Sequence, residues 1–205
     1  RDPSKRRRIP LLFEELAQGC QFTEEARSLP SSSSVSHDVL EEVVMSKDDR
    51  KGLTLPQSLC DSLGKSGGNL KENMRLGRWG EERVYHHLQR ELRSSAAQVT
   101  WMNEETERGK PYDILVKSAS GERYVEVKTT SVADSTLIPL TRNELLFAVA
   151  CARKEKSYDI YFVQLESVPG IPAKIFSMKD PLFAIGDGID LMLSVPQLGG
   201  RQTKR

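Results

Sequence analysis

The sequence has few cysteines and no long apolar run. Its three cysteines, Cys20, Cys60 and Cys151, are far apart, and neither a C-x-x-C pair nor a Cys/His cluster occurs. We therefore expect no disulfide framework and no zinc knuckle, and we expect a reducing, intracellular compartment. The longest apolar run, LLFAVACA at 145–152, is too short to cross a bilayer, and no secretory leader is evident. No membrane partner is expected.

Neither sign of charge dominates. The 205 residues include 30 lysines and arginines against 29 aspartates and glutamates, a net charge of +1 at pH 7. This balance does not by itself indicate a nucleic-acid binder, because affinity for a polyanion usually requires clustered basic surface. The run KRRR at 5–8 is either a nuclear import or phosphate-binding signal or an ordinary feature of a linker.

The first 70 residues differ in composition from the rest of the chain. Short amphipathic pieces alternate there with a serine tract and a glycine–serine stretch. The pieces lie at 11–19, 37–45 and 55–63. Each allows two or three helical turns, which are marginal in isolation. We therefore predict that residues 1–70 are a largely disordered linker, whose short helices dock on a partner protein or on the domain itself.

From residue 71 onward, the pattern of apolar residues predicts both helices and strands. The predicted order is a helix at 71–94, a strand at 98–102, two strands of a hairpin within 111–130, a short strand at 137–140, a helix from Thr141, a strand at 158–166 and an edge strand at 174–178. Apolar residues on both faces of the strands are typical of a sheet buried on both sides. We expect an α/β domain over 71–195, with a mixed central sheet flanked by helices, and a polar tail at 196–205.

The first predicted helix contains two glycines, Gly77 and Gly80. Each costs a helix roughly 1 kcal/mol relative to alanine. We therefore expect this helix to pack closely against another element, which would compensate for the glycines.

The second predicted helix begins with the motif T-R-N-E, in which Thr141 caps the helix and Glu144 reaches back to the cap. This capping box accounts for the glutamate at position 144. Arg142 and Asn143 lie in the first turn, where they either hold a phosphate or form an ordinary solvated helix start.

The predicted hairpin carries acids among its apolar residues. If the turn is the symmetric loop 118–121, Lys117 lies opposite Glu122 and, in the same register, Asp113 lies opposite Glu126. Directly paired residues point to the same side of a sheet, with Cβ atoms roughly 4.5–5.5 Å apart. Two carboxylates at that separation repel each other, so a proton or a cation must lie between them. Mg²⁺ and Mn²⁺ are suited to such oxygen ligands.

Lys128 lies two residues beyond Glu126, on the same face of the strand. A lysine there can position or deprotonate an attacking water, or stabilise negative charge on a phosphate, while a metal acts as Lewis acid. The pattern D-x12-E-x-K is thus typical of phosphodiester hydrolysis. The alternative interpretation is a surface strand that carries a salt bridge.

These motifs resemble the PD-(D/E)xK nuclease superfamily, in which an acid is followed by E-x-K on the next strand. The stretch GRWGEERVYHHL at 77–88 matches the superfamily's first helix, whose glutamate corresponds to Glu81. The finer pattern resembles the family of the NO VEIN C-terminal domain. It consists of WMNEETERGKPYDILV, YVEVKTT and LTRNELLFAVA, and the resemblance covers roughly residues 74–166.

The resemblance implies a restriction-endonuclease-like core and a Mg²⁺ or Mn²⁺ site. Asp113, Glu126 and Glu81 would hold the ion with help from the Val127 carbonyl, and Lys128 would orient the water. The substrate would be nucleic acid, DNA or RNA, and the location nuclear. Against this, residues 71–195 have 17 basic and 18 acidic side chains, a net charge of −1. A basic cleft or the rest of a larger protein would then have to bind the polyanion. The alternative function is a catalytically inactive module that serves as a binding or regulatory platform in a larger nuclear protein.

Overall fold

The computed structural model describes residues 41–45, 50–63, 70–130, 138–166, 170–184 and 191–194. The basic run at 5–8, the amphipathic piece at 11–19 and the polar tail lie outside these residues. The elements are β1 (Glu41–Glu42), α1 (Gln57–Leu63), α2 (Leu70–Glu91), β2 (Gln98–Trp101), β3 (Ile114–Ser118), β4 (Gly121–Thr130), β5 (Ile138–Thr141), α3 (Arg142–Arg153), β6 (Ser157–Gln164), β7 (Lys174–Lys179), α4 (Pro181–Ala184) and β8 (Leu191–Ser194). No helix in the described ranges is long and apolar enough to span a membrane.

Six strands form one mixed sheet in the order β1-β7-β6-β4-β3-β2. The central pair, β4 and β6, is parallel, and the other neighbours are antiparallel. Strands β5 and β8 form a separate parallel pair. The expected α/β fold with a mixed sheet and helices is confirmed.

The sheet is buried on both faces, as its apolar strands predicted. Along β6, Tyr161 and Val163 belong to one core cluster and Ile160 and Phe162 to the other. This alternation follows from the two-residue period of a strand. Helix α2 supplies Val84 and other residues to the first cluster. Helix α3 covers the opposite face with a different set. Its buried apolar residues are Leu145, Ala148, Val149 and Cys151.

Helix α2 packs on β4 through one of its two glycines. Gly80 lies directly against Thr129 of β4, whereas no atom lies within 4 Å of the position that a β-carbon would take at Gly77. The expectation of close packing is therefore confirmed for Gly80 and wrong for Gly77. Gly77 lowers the helix propensity without such compensation.

The region before residue 70 packs on the domain itself where the structure describes it. Met45, Leu53 and Leu59 are buried in the same core cluster as the apolar residues of α2. The piece at 55–63 contains the predicted short helix, α1. The piece at 37–45 instead contributes strand β1, because pairing with β7 satisfies main-chain groups that a two-turn helix would leave unpaired. Strand β7 is consequently not an edge strand.

Hairpin β3–β4 has the predicted register. Lys117 pairs with Glu122 and Ile114 with Val125, and Ser118 and Gly121 also pair, so that the connecting loop is shorter than expected. Gly121 has a φ of 123°. Such a value is readily adopted only by glycine, which allows the tight reversal.

Candidate active site

Five charged side chains, four from three elements and one from the residue before β3, meet at one end of the hairpin. Glu81 comes from α2, Asp113 directly precedes β3, Glu126 and Lys128 lie on β4, and Glu144 lies in the first turn of α3. The structure brings together all the acids and the lysine that the sequence predicted. It adds Glu144, which the sequence explained as a capping residue only.

The regular ladder of β3 and β4 ends with Ile114 opposite Val125, one residue short of the predicted pair of Asp113 and Glu126. Asp113 is still close enough for its charge to act on Glu126. The Asp113 N–H donates to the carbonyl of Val125 at 2.9 Å, although Val125 is already the partner of Ile114. Two residues thus face one at this point, which is the geometry of a β-bulge. Oδ2 of Asp113 accepts the Val127 N–H at 2.8 Å. Val127 therefore contributes its N–H to the site, and its carbonyl as a metal ligand stays a prediction.

The environment of both carboxyls favours the protonated form. Removal from water, followed by the charge of Glu81, raises the pKa of Asp113 to about 7. Glu126 is only 5% exposed. Its burial, followed by the charge of Asp113, raises its pKa well above the usual range. These carboxylates therefore carry an electrostatic cost that a cation would relieve.

Asn103 connects the helix acid to the hairpin acid. Its Nδ2 donates to Oε2 of Glu81 at 3.2 Å and to Oδ1 of Asp113 at 3.0 Å. Its Oδ1 accepts the Arg108 N–H at 3.3 Å, which fixes the orientation of the amide. Asn103 is 3% exposed, and all of its partners suit their donor or acceptor atoms. Sequence reasoning missed this residue, because it lies in an irregular loop with no periodic pattern.

Glu81 is held by a second donor. The indole Nε1 of Trp101 donates to Oε2 of Glu81 at 2.8 Å. Burial is the main cause that raises the pKa of Glu81, and these hydrogen bonds oppose it. Trp101 itself packs against Tyr85 and beneath the Arg78 guanidinium. Glu81 therefore points toward Trp101 and Asn103 rather than to solvent.

Lys128 lies between two carboxylates. Its Nζ donates to Oε1 of Glu126 at 2.7 Å and to Oε2 of Glu144 at 2.9 Å. Burial opposes the charge of this ammonium group, but attraction by Glu126 and then by Glu144 outweighs it and raises the pKa of Lys128. In this arrangement Lys128 is a protonated cation that suits contact with negative charge, and a role as proton acceptor is disfavoured.

Glu144 combines two contacts at one oxygen atom. The predicted capping box is present, with the Glu144 N–H donating to the Thr141 hydroxyl at 3.3 Å. In return, the Thr141 N–H donates to Oε2 of Glu144 at 2.9 Å, and this oxygen also accepts Lys128. Arg142 and Asn143 are exposed in the same turn.

The donor atoms of the site suit a hard divalent cation. The site has four carboxylates and one lysine, and Mg²⁺ typically takes one or two carboxylates while keeping several waters. Within the described ranges, no three His, Cys, Asp or Glu side chains form a ready metal cage. The residues therefore fit an ion that is bound by the Asp113 and Glu126 pair with water ligands, rather than one enclosed by protein.

Residues 80–172 match the sequence model of the family described as Protein NO VEIN, C-terminal. The chain is 37% identical over 90 residues to Protein NO VEIN of Arabidopsis thaliana and 36% identical over 90 residues to Protein NO VEIN-LIKE of the same plant. Each match covers 43% of this chain, but only 3% and 13% of the two relatives. The chain thus spans a small part of either relative. No solved structure gives a significant match.

Proposed function

Because residues 80–172 match the sequence model of the Protein NO VEIN, C-terminal family, we propose that their acidic site serves hydrolysis rather than docking. The domain is a restriction-endonuclease-like (PD-(D/E)xK) nuclease that cleaves phosphodiester bonds of nucleic acid with Mg²⁺ or Mn²⁺. The observation that carries the proposal is that Asp113 accepts the Val127 N–H, between Glu126 and Lys128 in the chain, while Lys128 contacts Glu126. Two nearby buried carboxylates are costly without a cation, and a lysine adds no benefit to an apolar core unless it is paired.

Each residue of the site has its own role in the proposed reaction. Asp113 and Glu126 would hold the cation, with Glu81 and the Val127 carbonyl as the further oxygen ligands proposed from the sequence. A bound divalent ion acts as a Lewis acid toward the phosphate and aligns water with it. Lys128 places its positive charge beside the same phosphate and orients the attacking water, in line with its raised pKa.

The substrate is DNA or RNA, and the protein acts in the nucleus as part of a larger polypeptide. Residues 71–195 have a net charge of −1. The basic surface that binds the nucleic acid therefore lies in a local cleft or elsewhere in the larger protein. The length of the Arabidopsis relatives is consistent with a domain that works in a larger context.

One observation favours the second candidate function, a catalytically inactive module that binds or regulates. Both carboxylates next to Lys128 already form ion pairs with its ammonium group. An ion pair of this kind can hold strands and helix together without any catalysis. This candidate predicts that divalent cations leave the protein unaffected.

Thermal unfolding with and without millimolar Mn²⁺ separates the two functions. An ion that binds only the folded protein raises the unfolding midpoint. We expect a rise for the parent chain and none for Asp113→Asn. No rise in either would support the inactive module.

A cleavage assay then tests the chemistry on single- and double-stranded DNA and RNA. Lys128→Ala should abolish Mn²⁺-dependent cleavage while the circular dichroism spectrum of the fold is retained. Lys117→Ala is the matched control, because Lys117 lies on the same hairpin with its side chain 56% exposed. Unchanged cleavage by Lys128→Ala would end the proposed role of this lysine.

A further inference from the structure

Glu126 and Glu144, the two acceptors of Lys128, differ in their other roles. Glu126 is one of the proposed cation ligands, and the Oε1 that accepts Lys128 belongs to that carboxylate. Glu144 is not a proposed ligand. Its Oε2 is already fixed by the Thr141 N–H at 2.9 Å, in the capping box of α3.

A cation at Glu126 and the ammonium group of Lys128 compete for the same carboxylate. A divalent ion draws electron density from Glu126 and repels the nearby ammonium group, so the 2.7 Å contact weakens. Lys128 has only 17% of its side chain exposed and cannot simply turn to water. It therefore needs a second acceptor that the cation does not use.

We infer that Glu144 is a positioning residue that holds Lys128 beside the phosphate when a divalent cation occupies Glu126. The inference rests on the proposed function. The cap makes this possible because Glu144 cannot follow the lysine or swing toward the cation while Thr141 holds it. Helix α3 thereby positions a reactive group that lies 16 residues earlier in the chain.

The test is a double-mutant cycle on Mn²⁺ affinity, measured by calorimetry on the full chain. Glu144→Gln keeps an oxygen for the Thr141 N–H but removes the charge that attracts Lys128. The lysine then relies on Glu126 alone and competes with the ion, so Mn²⁺ affinity should fall. Adding Lys128→Met should restore it.

The coupling between the two substitutions distinguishes competition from a simple loss of charge. Under competition, Lys128→Met raises Mn²⁺ affinity at least about threefold more in the Glu144→Gln background than in the parent, a range typical of contacting residues. Equal gains in both backgrounds would mean that Glu144 acts only as a distant charge, and the inference would be wrong. If Lys128→Met does not fold, Lys128→Gln closes the same cycle.

Measurements on Thr141→Ala and on the parent chain show whether the inference alone or also the proposed function is wrong. Thr141→Ala removes the capping hydroxyl but keeps the main-chain N–H that holds Glu144, so it should lower the unfolding midpoint and leave Mn²⁺ affinity within about twofold. A large loss of affinity there would contradict the geometry proposed for Glu144. A parent chain that binds no Mn²⁺ overturns the proposed function together with this inference, whereas normal binding with additive substitutions overturns the inference alone.

Discussion

Gly80 lies so close to Thr129 that a β-carbon at residue 80 would come within 1.9 Å of the Thr129 hydroxyl oxygen. This contact sets the distance between helix α2 and strand β4 one residue before Glu81. The proposed cation ligand from the helix is therefore placed by a glycine that permits close approach. Thr129 is a stiff, β-branched residue and its Cβ would be only 3.2 Å away, so rotation of the side chain offers little relief.

Alanine at the two glycines of α2 should have opposite effects. Gly80→Ala forces the helix away from β4 and should lower the free energy of unfolding by about 1–3 kcal/mol, as overpacking does. A β-carbon at residue 77 would meet nothing within 4 Å. Gly77→Ala should therefore raise the free energy of unfolding by up to about 1 kcal/mol through its higher helix propensity. Chemical denaturation of both variants measures the difference.

Thr129→Ala provides the control for this contact. The Thr129 hydroxyl is buried and has no hydrogen-bond partner in the described part of the chain, so its removal should cost little. In combination with Gly80→Ala it should recover part of the lost stability. If the double variant is as unstable as Gly80→Ala alone, the clash does not explain the need for glycine.

The metal-free protein should lose stability as the pH rises toward 8. The pKa of Asp113 is raised to about 7 in the folded chain, against an ordinary value of 3.8. An acid whose pKa is raised by folding contributes stability that is fully present below its unfolded pKa, here 3.8. That stability is lost as the pH passes through the folded pKa of about 7. Unfolding in a chelating buffer between pH 5 and 8 measures this slope.

Asp113→Asn should flatten the slope, because the amide does not titrate. Glu104→Gln is the matched control, since Glu104 is an exposed acid in the neighbouring loop. A slope that is equally steep in Asp113→Asn would assign the effect to other buried groups.

Much of the site could be predicted from the hairpin alone. Strand alternation puts Glu126 and Lys128 on one face, and the short turn brings Asp113 near them, although the ladder ends with Ile114 opposite Val125. Both rules are local, and the chain between the two acids is short. The capping box at Thr141 is equally local and was also confirmed.

The rest depends on how distant elements pack. Asn103 reaches the acids only because α2, β2 and β3 meet, and Glu144 reaches Lys128 only because α3 begins beside β4. Neither contact leaves a periodic signal in the sequence. The same reason explains β1, where pairing with β7 overrides a weak local preference for helix.

Glu126→Gln should stabilise the metal-free chain at pH 8 and remove its response to Mn²⁺. Glu126 is buried, and its raised pKa shows that the folded protein disfavours its charge. The neutral amide avoids that cost, as often happens when a functional acid is removed. Thermal unfolding with and without Mn²⁺ gives both results. A lower midpoint without metal would mean that the Glu126–Lys128 ion pair contributes more stability than the buried charge costs.

Replacing Asn103 by alanine should weaken the site and the fold together. The amide separates two acids, and its loss leaves Glu81 and Asp113 facing each other without the shared donor. We expect a loss of about 1–3 kcal/mol in the free energy of unfolding at pH 8, and a smaller loss at pH 5, where Asp113 takes up a proton.

Asn143→Ala serves as the matched control for Asn103→Ala. Asn143 is exposed in the first turn of α3, and its replacement should change stability by less than about 0.5 kcal/mol. Saturating Mn²⁺ should reduce the defect of Asn103→Ala, because the ion replaces the amide as the group between the two carboxylates. If Mn²⁺ stabilises the parent but leaves the Asn103→Ala defect unchanged, Asn103 supports the loop at 102–110 rather than the pair of acids.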